Sequence, residues 1–314
     1  MRIAFLGNFR VDYCSEVYHT KSLESLGYEV IRLQEQEATG EFILSQALKS
    51  DLFVWVHTHD WNTPGLSMKE IIAKLKEAGI ITISYHLDLY MGINRWNEYK
   101  DSEIFDLDYF FTVDKKMADY MNENTKVKGV FIPAGVFHKE CYIDASKGKD
   151  KDIIFVGSKR YHPEWQWRPQ LIDWLKETYG DKFEHYGNDG MGIVKGDALN
   201  KLYARTKIVI GDTLCLNFEY PYYFSDRLFE TTGRGGFIIF PYIKGIEDYF
   251  DLGKELVTYK FGDFEDLKKK IDYYLEHEKE REKIRLIGHI RTKRDHTYFR
   301  RWQEILRRIE DDKS

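Results

Sequence analysis

Short apolar runs alternate with longer stretches of helical periodicity along this chain, and the alternation begins twice. Arg2–Leu6 (RIAFL) reads as a buried strand and Ser15–Leu26 as a helix. Val17, Tyr18, Leu23 and Leu26 form that helix's apolar stripe, and Gly27 stops it. Tyr28–Leu33 is the second strand. A strand, a helix and a strand in so few residues open a doubly wound α/β domain. The rhythm continues through a helix at Phe42–Leu48, a strand at Leu52–Val56, a helix at Ser67–Ala78 and a strand at Ile80–Ser84. Tyr109–Val113 and Val130–Ile132 complete the series before Pro133. The polar segment Cys141–Asp152 reads as a linker, after which Asp152–Val156 (DIIFV) starts the pattern again. Helices at Arg168–Tyr179 and Leu199–Arg205 then separate strands at Phe183–Tyr186 and Lys207–Ile210. Charged helices at Glu265–Leu275, Glu278–Ile287 and Phe299–Ile309 close the chain. The expected fold class is α/β: two Rossmann-like doubly wound domains, residues 1–145 and 146–314, with the last helix packing back across them.

A length of 314 residues suits two domains, and 43% hydrophobic with 32% charged residues suits a water-exposed protein with real cores. No apolar run approaches the roughly 20 residues of a membrane-spanning helix. The opening MRIAFLGNFR has no long apolar stretch or small-residue cleavage site. Cys14, Cys141 and Cys215 lie too far apart for a disulfide framework or a zinc cluster, so a cytoplasmic location without a transmembrane segment is expected. A net charge of −5 argues against a protein that coats nucleic acid. The tail from Arg291 to Arg308 is the exception, with seven basic residues against Asp295 and Glu304. It reads either as a phosphate-binding patch or as a solvated helix face.

Parallel α/β sheets place ligands outside the carboxyl ends of their strands. In the first half those ends carry Asn8, Arg10 and Asp12, then His57, Thr58, His59 and Asp60, then His86 and Asp88. Histidine and carboxylate in this setting suit a divalent metal, or polar contact with a substrate and proton transfer. No third ligand follows at fixed spacing, so a metal is not expected. His86, Asp88, His57 and Asp60 are the catalytic candidates. A hydrogen-bonded histidine at a strand end is the plain alternative for either His.

The stretch SDRLFETTGRGGFIIFP, Ser225 to Pro241, carries the sharpest signal of the second half. Asp226–Arg234 reads as a short helix capped by Ser225 and stopped by Gly233, Gly235 and Gly236, and Phe237–Phe240 as a buried strand. Arg227, Glu230, Thr231 and Arg234 share one helical face. An acid and a guanidinium there could hold a sugar hydroxyl and an anion, and helix amino termini favour phosphate. A surface Arg–Glu pair is the competing reading. The Gly157-Ser158-Lys159-Arg160 turn carries two cations that could neutralise a diphosphate. It lacks the P-loop pattern, and no GxGxxG follows the first strand.

Five segments in order extend this reading: FVGSKR (155–160), HYG (185–187), LYARTKIVIGDT (202–213), SDRLFETTGRGGFIIFP (225–241) and GKELVTYKFGDFEDLKKKIDYYL (253–275). Together they resemble the nucleotide-sugar half of GT-B glycosyltransferases, in particular the CgeB-like group near family 4. Residues 1–140 are more loosely similar to the family's acceptor domain. The resemblance implies two domains facing across a cleft and a nucleotide diphosphate sugar as donor substrate, with no other cofactor. It assigns Glu230 to the donor ribose and Gly157, Ser158 and Arg160 to the diphosphate. Arg227 is a second diphosphate candidate, Ser225 belongs to the same donor site, and Tyr186 and Gly187 fall where the base binds. Family 4 members often carry another acid eight residues before this glutamate, where this chain has Tyr222. The implied activity is sugar transfer to a hydroxyl on carbohydrate, lipid, protein or modified nucleic acid. A non-catalytic nucleotide-sugar-binding protein and a transferase acting on modified DNA bases are the alternatives.

Overall fold

Both series of strands fold as their hydrophobic patterns require, each into one parallel sheet. The computed structural model describes residues 1–58, 61–146, 148–160 and 162–312. It divides into two compact units, residues 1–133 with 298–314, and residues 134–297.

In the first unit the elements run β1 (Arg2–Gly7), α1 (Ser15–Ser25), β2 (Glu29–Gln34), α2 (Gly40–Ala47), β3 (Leu52–Trp55) and α3 (Met68–Glu77). Then come β4 (Ile81–His86), α4 (Asn94–Tyr99), β5 (Tyr109–Thr112), α5 (Lys115–Asn124) and β6 (Lys128–Phe131). The sheet order is β2-β1-β3-β4-β5-β6. Every residue of β3 is buried, as a central parallel strand covered on both faces demands. Local chemistry sets the helix starts: Ser67 and Glu70 form a reciprocal capping box on α3, and Asp114 caps α5 through the Met117 amide. Ile71, Ile72 and Leu75 of α3 pack into a core with Phe53, Trp55 and Phe110.

The second unit comprises β7 (Lys151–Val156), α6 (Trp167–Tyr179), β8 (Phe183–Tyr186), α7 (Gly196–Ala204) and β9 (Thr206–Ile210). It continues through α8 (Asp226–Gly233), β10 (Ile238–Pro241), β11 (Val257–Tyr259), α9 (Phe264–Glu276) and α10 (Glu278–Asp295). Its sheet order is β11-β10-β9-β7-β8. Helix α10 runs well past Ile287, where the sequence pattern ends it, because Gly288 is a packing glycine rather than a stop. The Glu255 carbonyl lies where a Cβ would stand. Residues 134–145 go with this unit: the Glu140 and Tyr142 carbonyls both accept from the Asn200 amide at 2.8 Å, and Glu140 pairs with buried Arg234.

The last helix, α11 (Tyr298–Asp311), belongs to the first unit. Its Trp302 is fully buried and donates from Nε1 to His19 Nδ1 of α1 at 3.2 Å. Phe5, Tyr85 and Tyr298 surround the same imidazole. Burial pushes the His19 pKa down to about 3, so the ring is neutral in the folded protein. Unfolded, it takes up a proton near pH 6.5. The stabilisation is therefore complete above that pH and declines as pH falls toward 3. We expect the melting temperature to drop between pH 7 and 4.5, and less steeply in His19→Gln, which keeps an acceptor but cannot titrate. Parallel melting curves for the two proteins would remove His19 as the acid-sensitive group.

Candidate functional site

Ligands of parallel sheets sit where neighbouring strands lead their connections in opposite directions. In the second unit that point lies between β7 and β9. The loop leaving β7 is held tightly there. Gly157, with φ of 142°, donates its amide to the Tyr186 carbonyl at 2.7 Å, and its own carbonyl lies 2.7 Å from His185 Nε2. Gly187 approaches that carbonyl too closely for any side chain. The next amides, of Lys159 and Arg160, donate to the Asp189 carboxylate at 3.0 and 3.4 Å. Burial raises the Asp189 carboxyl, but these amides outweigh it and hold the group below its ordinary value.

Two guanidiniums stand against this loop. Arg227, in the first turn of α8, donates from Nε to the Val156 carbonyl at 2.7 Å and from Nη1 to the Asp212 carbonyl at 3.0 Å. Its Nη2 fills the space that a Cβ on Gly157 would need. Burial first, then the charge of Arg168, weakens its hold on its proton. Arg168, near the start of α6, donates from Nε to the buried Asp212 carboxylate at 2.7 Å and from Nη1 to the Ser158 carbonyl at 3.4 Å. Asp212 also accepts from the Trp165 indole at 3.1 Å. Both guanidiniums lie over the Phe155 ring, at 5.3 and 5.9 Å from its centre. Two cations thus meet Asp212 at the switch point of the sheet, Arg168 through its carboxylate and Arg227 through its carbonyl. Ser225 occupies the cap position of α8 without capping it. Its hydroxyl donates to the Asp212 carbonyl at 3.1 Å, so no side chain of the cap satisfies the first amides of α8.

The other sequence candidates have partners of their own. Glu230 is half-buried, 3.5 Å from Arg234. Arg234 itself is fully buried, donates to Asn200 Oδ1 at 2.6 Å and pairs with Glu140, so it holds residues 134–142 in place. Thr231 on the same face donates to the Tyr203 hydroxyl at 3.3 Å. The Tyr186 phenol donates to Glu184 at 2.5 Å, so this residue serves the loop through its carbonyl. Exposed Arg160 lines a groove of about 550 Å³ with Gln166, Pro169 and Asp173, the solvent face of α6. Arg168 points the other way, and the sequence reading missed it. Its signal was the buried rotation of α6, where Leu171, Ile172 and Leu175 point inward with it. Tyr222 donates its hydroxyl to Asp248 at 2.9 Å, and Asn217, Phe218 and Tyr222 all hold left-handed φ between 53° and 59°. Such backbone costs roughly 1–3 kcal/mol per residue and collects at functional loops.

In the first unit the switch point lies between β1 and β3. His57, just past the end of β3, donates from Nδ1 to buried Glu35 at 2.5 Å, and Glu35 also accepts from the Trp55 indole and the Thr58 amide. His86 is buried, with Nε2 2.9 Å from the Tyr90 hydroxyl and 3.3 Å from the His57 carbonyl. Asp88 is more open and lies 3.4 Å from Arg95. Glu16, unremarked in the sequence, starts α1 beside this group. Burial raises its carboxyl above the usual range, the amides of Glu16 and Asn8 and the Ser15 hydroxyl oppose that, and Asp88 adds to it. So three candidates converge with two further carboxylates, while Asp60 lies outside the described residues.

The basic tail is largely neutralised within itself. Arg291 and Arg294 pair with Asp295, Arg307 with Asp311 and Arg308 with Glu304, and Arg301 is buried. Among the described residues, no helix is long and apolar enough to cross a membrane.

Comparison with known proteins agrees with this fold. The fold is that of the GT-B glycosyltransferases, two parallel-sheet α/β units in one chain. Residues 166–307 match the family model described as glycosyl transferase-like. Anabaena Alr3699/HepE, solved with UDP and glucose, superposes with a TM-score of 0.67 over 99% of this chain and 100% of its own, at 10% identity. A glycosyltransferase from Rickettsia africae gives 0.61, covering 99% of this chain and 98% of its own, at 14% identity. An alpha-glucosyltransferase in complex with UDP gives 0.69 over 99% and 100%, at 9% identity. No curated protein matches the sequence significantly.

Proposed function

We propose that this protein transfers a sugar from a nucleotide diphosphate sugar to a hydroxyl acceptor. The observation that carries the reading is the pair of guanidiniums held against the Gly157–Ser158 turn, Arg168 by the buried Asp212 carboxylate and the Ser158 carbonyl, Arg227 by the Val156 and Asp212 carbonyls. A departing nucleoside diphosphate develops charge that fixed cations and amides stabilise without reorganising. In this reading Arg168, Arg227 and the open amino end of α8 receive the diphosphate, with Ser225 ordering that end. Glu230 accepts from the ribose hydroxyls, the segment of Tyr186 and Gly187 borders the base, and Arg160 stands at the rim. UDP bound by structural relatives supports a uridine nucleotide as the first donor to try. On the acceptor side, Asp88 handles the proton of the attacking hydroxyl, with His86, His57 and Glu16 setting its surroundings. The paired state of the basic tail gives no support to a DNA acceptor, although an alpha-glucosyltransferase of this fold has been solved with modified DNA.

The test is incubation with UDP- and GDP-sugars, with release of UDP or GDP as the readout and calorimetry for UDP binding. Glu230→Ala should weaken UDP about 10–100-fold, the equivalent of one or two charge-assisted hydrogen bonds, with little change in melting temperature. Undiminished affinity in this variant would withdraw the ribose assignment. Tight UDP binding without turnover on any sugar would favour a binding protein.

A further inference from the structure

At the opposite, amino-terminal ends of β7, β9 and β10, the second unit gathers another set of cations that the donor reading leaves unused. Lys149 precedes β7 and donates to the Thr206 carbonyl at 2.9 Å. Arg285 of α10 donates to the Gly235 carbonyl at 3.0 Å, and Arg281, one turn earlier, to the Tyr274 carbonyl at 2.5 Å. All three converge on one acid. The Glu282 carboxylate lies 2.7 Å from Arg285 Nε, 3.6 Å from Lys149 Nζ and 3.8 Å from Arg281 Nε. The cationic side chains are only 10%, 15% and 1% exposed respectively.

The carbonyls satisfy hydrogens but not charge, and three cations against one contacting carboxylate leave a local surplus of positive charge. Two further acids act on Arg281 from a distance: Glu278, and Asp152, which is already paired with Lys207 at 2.6 Å. Arg281 Nε is buried without a hydrogen-bond partner. Burial lowers Lys149 to about 8, Glu282 opposes this, and Arg285 and Arg281 add to it. Concentrated charge with so little water is unfavourable unless a counter-charge arrives, and guanidiniums with an ammonium suit a phosphate's geometry.

We propose that Lys149, Arg281 and Arg285 form a binding site for a phosphate dianion, free or carried by a small metabolite, separate from the diphosphate site at Gly157. The phosphate enters beside Glu282, the most exposed member of the cluster. This inference does not depend on the donor reading.

The experiment measures melting temperature and calorimetric binding with inorganic phosphate and, separately, glucose 6-phosphate. Sodium chloride holds ionic strength constant, and saturating UDP occupies the donor site. Stabilisation by either probe with UDP present, weakened at least tenfold in both Lys149→Met and Arg285→Gln while UDP affinity holds, supports the site. The stronger probe tells whether the ligand is free phosphate or a phosphate ester. No effect beyond that of chloride, or full phosphate affinity in Lys149→Met, overturns it. Should the variants fold poorly, NMR of the reductively methylated wild-type protein reads the same point. The lysine signal titrating far below the others should move to higher pH on phosphate addition, and an unmoved signal also overturns the site. Phosphate binding without UDP binding would leave this site standing and remove the donor reading.

Discussion

Arg168→Met should destabilise the second unit by about 3–5 kcal/mol, the usual consequence of stranding one member of a buried ion pair. Its partner Asp212 is fully buried just past β9 and would be left with the Trp165 indole at 3.1 Å. The loss should come from the unpaired carboxylate rather than from the missing arginine. Arg168→Met with Asp212→Leu should therefore recover most of the stability, since replacing a buried pair by apolar groups is often close to neutral. Urea denaturation of the wild type, both single variants and the double closes the cycle. A single-variant loss below about 1 kcal/mol, or a double variant no better than the sum of its parts, would show that the pair is not coupled. The double variant should still fail to bind UDP, which separates the structural role of Arg168 from its proposed contact with the diphosphate.

Trp302→Ala should remove about 3–5 kcal/mol from the first unit, the range for emptying a large aromatic site in a core. The indole meets Phe5, His19 and Tyr85 edge-on at ring distances of 6.3, 5.8 and 6.1 Å, and its N–H is bonded to His19. Removing it leaves both a cavity and an imidazole nitrogen without its donor. Hydrogen exchange across residues 298–311 should accelerate well before that of the β1 amides, because α11 is the element that loses its anchor. Trp302→Phe should retain more than half of the stability. Unaltered exchange in the alanine variant would mean that α11 is held by other contacts.

Much of the architecture was legible locally. The strand at Phe183–Tyr186 falls where the pattern puts it, and β1, β3, β7 and β9 shift by a residue or so at their ends. Short apolar runs bounded by glycine or polar residues can satisfy a parallel sheet in few other ways. Helix α4 and strand β11 were not read because their apolar residues are too few to give a period, whereas α5, with Met117, Ala118 and Met121 on one face behind the Asp114 cap, carried a short helical period that went unread. Strand β11 has only three residues and is specified by its pairing with β10. The face shared by Arg227, Glu230, Thr231 and Arg234 was read from spacing alone, yet its members part ways. Arg227 meets the Gly157 loop, whereas Arg234 is used up on Glu140 and Asn200.

By itself the chain's periodicity determined two parallel α/β sheets, and its glycines marked the tight turn at Gly157 and the end of α8, because strand, helix and turn preferences act over a few residues. Only the tertiary structure decided that Arg168 faces the turn while Arg160 lines the outer groove. It also decided that α11 joins the first unit through Trp302 and His19. Both outcomes depend on how a helix is rotated against its sheet and on which distant residues bury one another, and hydrophobic packing settles that between segments far apart in the chain.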